Sequence, residues 1–321
     1  MQTSEVLNDS LTPRLLRQFI GYHRSDRSVR LASDGHGGVS QGSDFPAENL
    51  NQECSFPMDR FFHSAGLSQP ALSLDEAESH HAARVLRKQP GDRIELFDGR
   101  GQSAIAEITL VKKERVEVRI IDRRELLVAP QPAIRLAVAP PKGDRFRWLV
   151  EKATELGIDQ LIPLLTERTV VEPGAGKLDK LQAAVVAACK QSGRNLVMQV
   201  AESTPWGELL VAFRSAKGHA VAEQKPTNPA TSAEALPTML MGDPRGEMFQ
   251  PEMVPVGTGE VLLLIGPEGG WSDSELKHAT QAGARRVRIA DQILRTETAA
   301  LQLAGLCVWA RSLHSSTFWR T

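Results

Sequence analysis

The stretch that decides the fold is Val261-Leu262-Leu263-Leu264-Ile265-Gly266-Pro267-Glu268-Gly269-Gly270-Trp271-Ser272-Asp273-Ser274-Glu275. Its first five residues are apolar without alternation, as in a strand covered on both faces of a parallel sheet. Ser272 and Glu275 stand at capping-box spacing and open a helix. Between them lies a glycine-rich loop, where missing side chains let main-chain groups approach a ligand closely. In open parallel sheets, ligands sit outside the carboxyl ends of the strands. The loop is not GxGxxG, and no Lys-Ser/Thr follows it, so it is neither a dinucleotide fingerprint nor a P-loop. Gly174-Ala175-Gly176-Lys177 fails the same test, because Leu178 follows the lysine. By composition alone, a plain tight turn satisfies the Gly266 loop as well as a ligand does.

The same rhythm extends outward. Residues 134–139 read as a strand, and Asp144 can cap a helix carrying Phe146, Leu149, Val150, Ala153 and Leu156 on one face, closed by Gly157. A strand at 158–165, a helix at 177–191, a strand at 286–290 and a last helix at 298–311 complete an α/β domain over 131–321, with a mainly parallel sheet. Residues 225–260 interrupt it with six of the nineteen prolines and four glycines, and read as a surface insertion around one short strand, 239–241. Upstream, 58–130 is β-rich. It has a short helix at 75–87 and alternation at 93–97, 104–111 and 116–121, a spacing that suggests a small barrel. Residues 129–132, Ala-Pro-Gln-Pro, read as a linker. Residues 1–57, with Gly35, Gly37, Gly38 and Gly42 close together, read either as a disordered extension or as sequence ahead of a translation start at Met58.

Composition excludes several classes. Of 321 residues, 38 are Lys or Arg and 39 Asp or Glu, a net charge of -1 that rules out a polycationic tail. The balance is an average: 201–260 holds eight acids against four bases, while 131–200 with 261–321 holds 17 bases against 12 acids. Aromatics are 5%, which argues against stacking platforms for single strands. Cys54, Cys189 and Cys307 are dispersed and form no CxxC, which fits a reducing cytoplasm. His80 and His81 have no further ligand at metal spacing, so no metal is expected. No apolar run reaches the roughly 18 residues of a membrane span. The N-terminus, with Glu5 and Asp9, does not read as a secretory signal.

Three more loops join the Gly266 loop as polar, strand- or helix-ending segments. They are Ile293-Leu294-Arg295-Thr296-Glu297-Thr298, Lys142-Gly143-Asp144-Arg145-Phe146-Arg147 and Gln191-Ser192-Gly193-Arg194-Asn195. Each alone is compatible with a cap or turn. Four in one α/β domain point to a shared site.

In this order, these motifs resemble the ribosomal small-subunit RNA methyltransferase E family, of the SPOUT class. Met58-Asp59-Arg60-Phe61-Phe62, Arg84-Val85-Leu86-Arg87 and the run from Gly91 to Gly99 resemble its N-terminal PUA-like β-barrel. Lys152-Ala153-Thr154-Glu155-Leu156-Gly157, the run from Pro163 to Arg168, and the Gly266 and Arg295 loops resemble its catalytic domain. The resemblance covers 58–321. It implies a SPOUT-type trefoil-knotted parallel-sheet domain, a homodimer, S-adenosylmethionine as cofactor, and 3-methyluridine in 16S ribosomal RNA of the small subunit as product. Two departures stand out. Ile289, Ala290, Asp291 and Gln292 replace a usual Leu-Gly-Pro-Arg, and Lys190 precedes Gln191 where Glu-Gln is usual.

The resemblance implies cofactor contacts from Leu264, Ile265, Gly266, Pro267, Glu268, Gly269, Ile289, Ala290, Ile293, Leu294 and Arg295, with Trp271 and Leu301 flanking the adenine or packing in the core. Uridine N3 must lose a proton before it attacks, and charge then spreads onto ring oxygens, where a cation stabilises it. Arg194 or Arg295 is the expected cation. Glu268 or Glu297 is expected to assist proton removal or hold an arginine. Arg60, His63, Arg84, Arg87 and Lys88, together with Lys142, Arg145 and Arg147, are expected to contact RNA phosphates. Two other classes fit more weakly: a non-catalytic ribosomal RNA-binding or assembly factor, and a SPOUT enzyme acting on another RNA.

Overall fold

The computed structural model describes residues 58–113, 115–125, 131–223, 237–257 and 259–314. The extension 1–57, the first half of the 129–132 linker and the first part of the 225–260 insertion lie outside these residues.

The N-terminal part is a 5-stranded sheet built from β1 (Arg60–Phe62), β2 (Ala71–Ser73), β3 (Arg93–Phe97), β4 (Gln102–Lys112) and β5 (Arg115–Glu125), in the order β1-β3-β4-β5-β2. β1 joins β3 in parallel, and the other pairs are antiparallel. A short helix α1 (Glu76–His80) continues into a π-helical turn (His81–Val85). Strand alternation sends Phe61, Ile94, Leu96, Ala106, Ile108, Val116 and Val118 to one core, closed by Leu74 just before α1 and by Ala82 in the π-helical turn.

The C-terminal part is a 7-stranded parallel sheet. In chain order its elements are β6 (Ala133–Val138), α2 (Arg145–Leu156), β7 (Gln160–Leu165), α3 (Ala175–Ser192), β8 (Gln199–Val200), β9 (Thr204–Pro205), α4 (Trp206–Glu223), β10 (Thr238–Met248), β11 (Glu260–Ile265), α5 (Asp273–Gln281), β12 (Arg285–Arg288) and α6 (Thr296–His314). The strand order is β12-β10-β11-β6-β7-β8, with β9 beside β7. The capping box at Ser272 forms as the sequence predicts, with both reciprocal bonds present. Gly157 ends α2 in the left-handed region, at φ 95°. Asp144 occupies the N-cap position of α2, but its side chain makes no cap bond. The last helix begins at Thr296, two residues before the expected start.

The largest correction concerns 225–260. Thr238–Met248 is not a short strand in a surface insertion. It is an eleven-residue strand lying between β11 and β12, with Met239, Leu240 and Met241 fully buried. Its register against β12 jumps between Gly242 and Glu247, so residues 243–246 leave the ladder as a bulge. Pro244 has no N–H to lose in that excursion. A Cβ at Gly246 would strike the Arg286 carbonyl, so the bulge closes only over glycine.

Candidate functional site

β10, β11 and β12 are neighbours in the sheet and run parallel, so the segments that follow them converge on one edge. There a cavity of about 350 Å³ opens. Its walls come from the bulge (Gly242, Asp243, Pro244), from Ile265 to Glu268 with Gly270 and Trp271, and from residues between Val287 and the start of α6. The volume falls in the range of about 300–1,000 Å³ typical of small-molecule sites.

Trp271 fastens two of these walls. Its indole Nε1 donates to the Gly242 carbonyl at 3.0 Å. Its ring lies against Gly266, where an added Cβ would sit 3.0 Å from Cε2. Trp271 also packs on Trp206, with ring centroids 5.3 Å apart. The third wall is tied in by Thr296, whose Oγ1 donates to the Gly266 carbonyl at 3.2 Å. Asp243 holds the bulge. It is buried, accepts the Arg245 N–H at 2.8 Å and pairs with the Arg286 guanidinium at 2.6 Å. Outside the cavity, Arg168 Nη1 donates to the Gly269 carbonyl at 2.7 Å and its stem covers Gly269. The Gly266 loop is therefore held from both sides.

A charged trio stands at the cavity edge. The Arg145 guanidinium lies 3.4 Å from Glu268 Oε1 and 3.3 Å from Glu297 Oε1. Glu297 is buried in the first turn of α6, and its Oε2 has no partner. Glu268 and Arg295 are exposed and line the cavity.

Among the expected cofactor residues, Ile265, Gly266, Pro267, Glu268, Ile289, Ala290, Ile293, Leu294 and Arg295 line the cavity. Leu264 does not, because its side chain packs with Ala137, Ile162 and Met241. Gly269 faces Arg168 instead, and Leu301 packs against the main core. The sequence reading missed Gly242, Asp243 and Pro244. A signal was present: an apolar run followed by Gly-Asp-Pro, much as Ile265 is followed by Gly-Pro-Glu.

The structure does not bring Arg194 to this site. Its guanidinium donates to the Thr154 carbonyl at 2.9 Å and reaches Asp159 at 3.5 Å. Burial lowers its pKa, and Asp159 opposes the shift. Arg60 is also withdrawn. It pairs with Glu95 at 3.0 Å and donates to the Cys189 carbonyl at 2.7 Å, leaving no free charge for a phosphate. Lys88 pairs with Asp59 at 2.6 Å, and Arg147 with Glu151 at 2.9 Å. Arg145 is committed to Glu268 and Glu297. Arg84, Arg87 and Lys142 are exposed, whereas His63 is half-buried.

Among the described residues no group of three His, Cys, Asp or Glu side chains has a metal-holding arrangement, and no helix is long and apolar enough to cross a membrane.

A family model described as the RNA methyltransferase domain matches residues 129–308. One described as the RNA methyltransferase PUA domain matches 74–121. The ribosomal RNA small subunit methyltransferase E of Synechocystis is 31% identical over 233 residues, covering 72% of this chain and 70% of that protein. Its namesake in Bacillus subtilis is 28% identical over 240 residues, covering 72% of this chain and 87% of that protein. Among solved structures, a ribosomal RNA small subunit methyltransferase E from Neisseria gonorrhoeae bound to S-adenosyl methionine matches with TM-score 0.63 at 30% identity, covering 77% of this chain and 95% of that one. A Legionella pneumophila protein in complex with the same cofactor matches with TM-score 0.65 at 29% identity, over 79% and 98% of the two chains.

Proposed function

Because this chain belongs to the RNA methyltransferase family, we propose that it methylates N3 of one uridine in 16S ribosomal RNA, with S-adenosylmethionine as methyl donor. The observation that carries this reading is the cavity at the carboxyl ends of β10, β11 and β12. It is apolar along Ile265, Val287, Ile289 and Leu294, and it presents main-chain groups along its glycine loops. Those walls suit an adenosine with a short charged tail. A side chain at Gly242 would displace Ile265, since a Cβ there would lie 2.8 Å from Ile265 Cδ1. When bound, S-adenosylmethionine supplies an electrophilic methyl on a sulfonium.

The chain's own residues then have to place the uridine and remove its N3 proton. Positioning supplies most of the rate in such a transfer. Glu268 lines the cavity and takes the proton. Arg145 holds Glu268 in place, and the buried Glu297 holds Arg145. Arg295, exposed on the same wall, faces the charge that develops on the uracil oxygens.

The reading includes a knotted SPOUT domain, a homodimer and a cytoplasmic site of action on the small subunit. Support for the dimer comes from Trp148 on α2 and Trp309 and Leu313 on α6, which are 46%, 50% and 56% exposed although α2 and α6 pack on each other. The exposed Arg84, Arg87 and Lys142 are the cations for RNA phosphates. Titration calorimetry of the full chain with S-adenosylmethionine tests the cofactor site: saturable heat that disappears in Gly242→Val is expected. No heat from a folded wild-type chain contradicts it.

A further inference from the structure

Resting on that reading of the substrate, we propose that a buried charged staple locks the N-terminal domain in one orientation on the α/β domain. Arg60, Glu78 and Lys190 are then positioning residues that set where ribosomal RNA lies relative to the cavity.

Three layers join the two domains. The first is main chain. Gly101 N–H donates to the Asn195 carbonyl at 3.1 Å, and Val197 N–H donates to the Gly99 carbonyl at 3.0 Å. A Cβ on Gly99 would lie 2.8 Å from Val197 Cγ2, so this approach requires glycine. The second is apolar: Phe97 belongs to the core of the α/β domain, with Phe62 and Val197 packed against it.

The third layer is charged. Arg60 of β1 reaches the carboxyl end of α3, where it donates to the Cys189 carbonyl at 2.7 Å and to Asn195 Oδ1. There it meets unsatisfied carbonyls and the negative end of the helix dipole. Its guanidinium lies 4.7 Å from the Phe97 ring centre, and only 8% of the side chain is exposed. The next residue of α3, Lys190, pairs with Glu78 of α1 and sits 5.9 Å from the Phe61 ring centre. Glu78 Oε2 is buried and has no partner.

Apolar contact is non-directional and tolerates sliding. A buried ion pair adds little net stability, because desolvation offsets attraction, but it has one good geometry. An unpaired carboxylate oxygen in such a pair is poor design for stability alone. The pair does fix α1; Arg84 follows in the π-helical turn joined to it, and Arg87 stands just past the end of that turn. The staple and Arg84 are therefore one rigid piece, and the distance from that cation to the cavity is set before RNA arrives. Loosening it would turn one preorganised surface into two tethered ones, and the apparent affinity falls with the effective concentration of the second.

The test is steady-state methylation of purified small ribosomal subunits by full-length wild type, Lys190→Glu, Glu78→Lys and the double exchange. Cofactor titration and amide exchange at Gly101 and Val197 are measured alongside. Each single reversal is expected to raise KM for the subunit by about tenfold, as a lost effective concentration does. It should leave kcat and cofactor affinity unchanged and speed amide exchange at both positions. The double exchange should restore KM and protection. Unchanged KM in both single variants overturns the proposal. So does a joint loss of kcat, KM and cofactor binding that the double exchange does not recover. If wild type methylates no subunit, the substrate reading fails, and amide exchange alone then decides the lock.

Discussion

Two clusters of arginine and carboxylate lie at opposite ends of α2, and they are built on inverse plans. At the carboxyl end, one carboxylate serves two arginines: Asp159 accepts from Arg311 at 2.9 Å and Arg194 at 3.5 Å. Both guanidinium groups are also spent on carbonyls, those of Thr154, Pro132 and Gly157, and Asp159 takes the Ile134 N–H at 2.9 Å. At the amino end, one arginine serves two carboxylates, at 3.3 and 3.4 Å. There Glu297 Oε2 has no partner and Glu268 is exposed. The first cluster is saturated and closed, the second undersatisfied and open. A site needs bonding capacity left over for a ligand, and residue type alone does not reveal which cluster has it.

The largest effect that would break this contrast belongs to the open cluster. Glu268→Gln keeps the size and removes the proposed base, so kcat should fall by about 10²–10⁴-fold, the usual worth of a general base, with an unchanged melting temperature. A wild-type rate would move proton removal elsewhere. At the closed cluster, Asp159→Ala should cost about 3 kcal/mol of stability in denaturant melts, because it leaves two largely buried cations unpaired. Activity per folded molecule should persist. If that variant is instead stable and inactive, the two clusters have been assigned the wrong way round.

These clusters also show what the sequence could and could not reveal. The β11–Gly266–capping-box unit was legible because every cue in it is local: an apolar run, glycines and the Ser272/Glu275 spacing. The N-terminal strands were legible through alternation. β10 was not, since Gly242, Pro244 and Gly246 mimic a loop in composition, and nothing near Met239 announces that β11 and β12 will flank it. Arg194 and Arg145 look alike in sequence, and only partners far along the chain separate them. Lys190 is the same kind of case. Its departure from the usual Glu-Gln makes sense once Glu78 is seen across from it, 112 residues away.

Smaller effects sharpen the picture. Trp271→Phe keeps the ring against Gly266 but loses the bond to the Gly242 carbonyl. The loss is worth about 1 kcal/mol, so calorimetry should show cofactor affinity reduced by about fivefold. Unchanged affinity would mean that the bulge is held by Asp243 alone.

The least effect in the working range concerns Cys307, whose thiol burial pushes up to about 12 from 9.0. A pKa raised in the folded state contributes stability that is complete below the unfolded value and is lost as pH rises through the folded one. Melting temperature should therefore fall between pH 9 and 12. The fall should be shallower in Cys307→Ala, although that variant starts lower because of the cavity it creates. Equal slopes for the two proteins would remove Cys307 as the cause.

The central claim, that the cavity beyond β10, β11 and β12 serves uridine N3 methylation, is met most directly by mass spectrometry of 16S ribosomal RNA from a strain lacking this gene. 3-Methyluridine should be absent from that RNA. Wild-type protein should restore it, and Glu268→Gln protein should not. Undiminished 3-methyluridine in the deletion strain would contradict it.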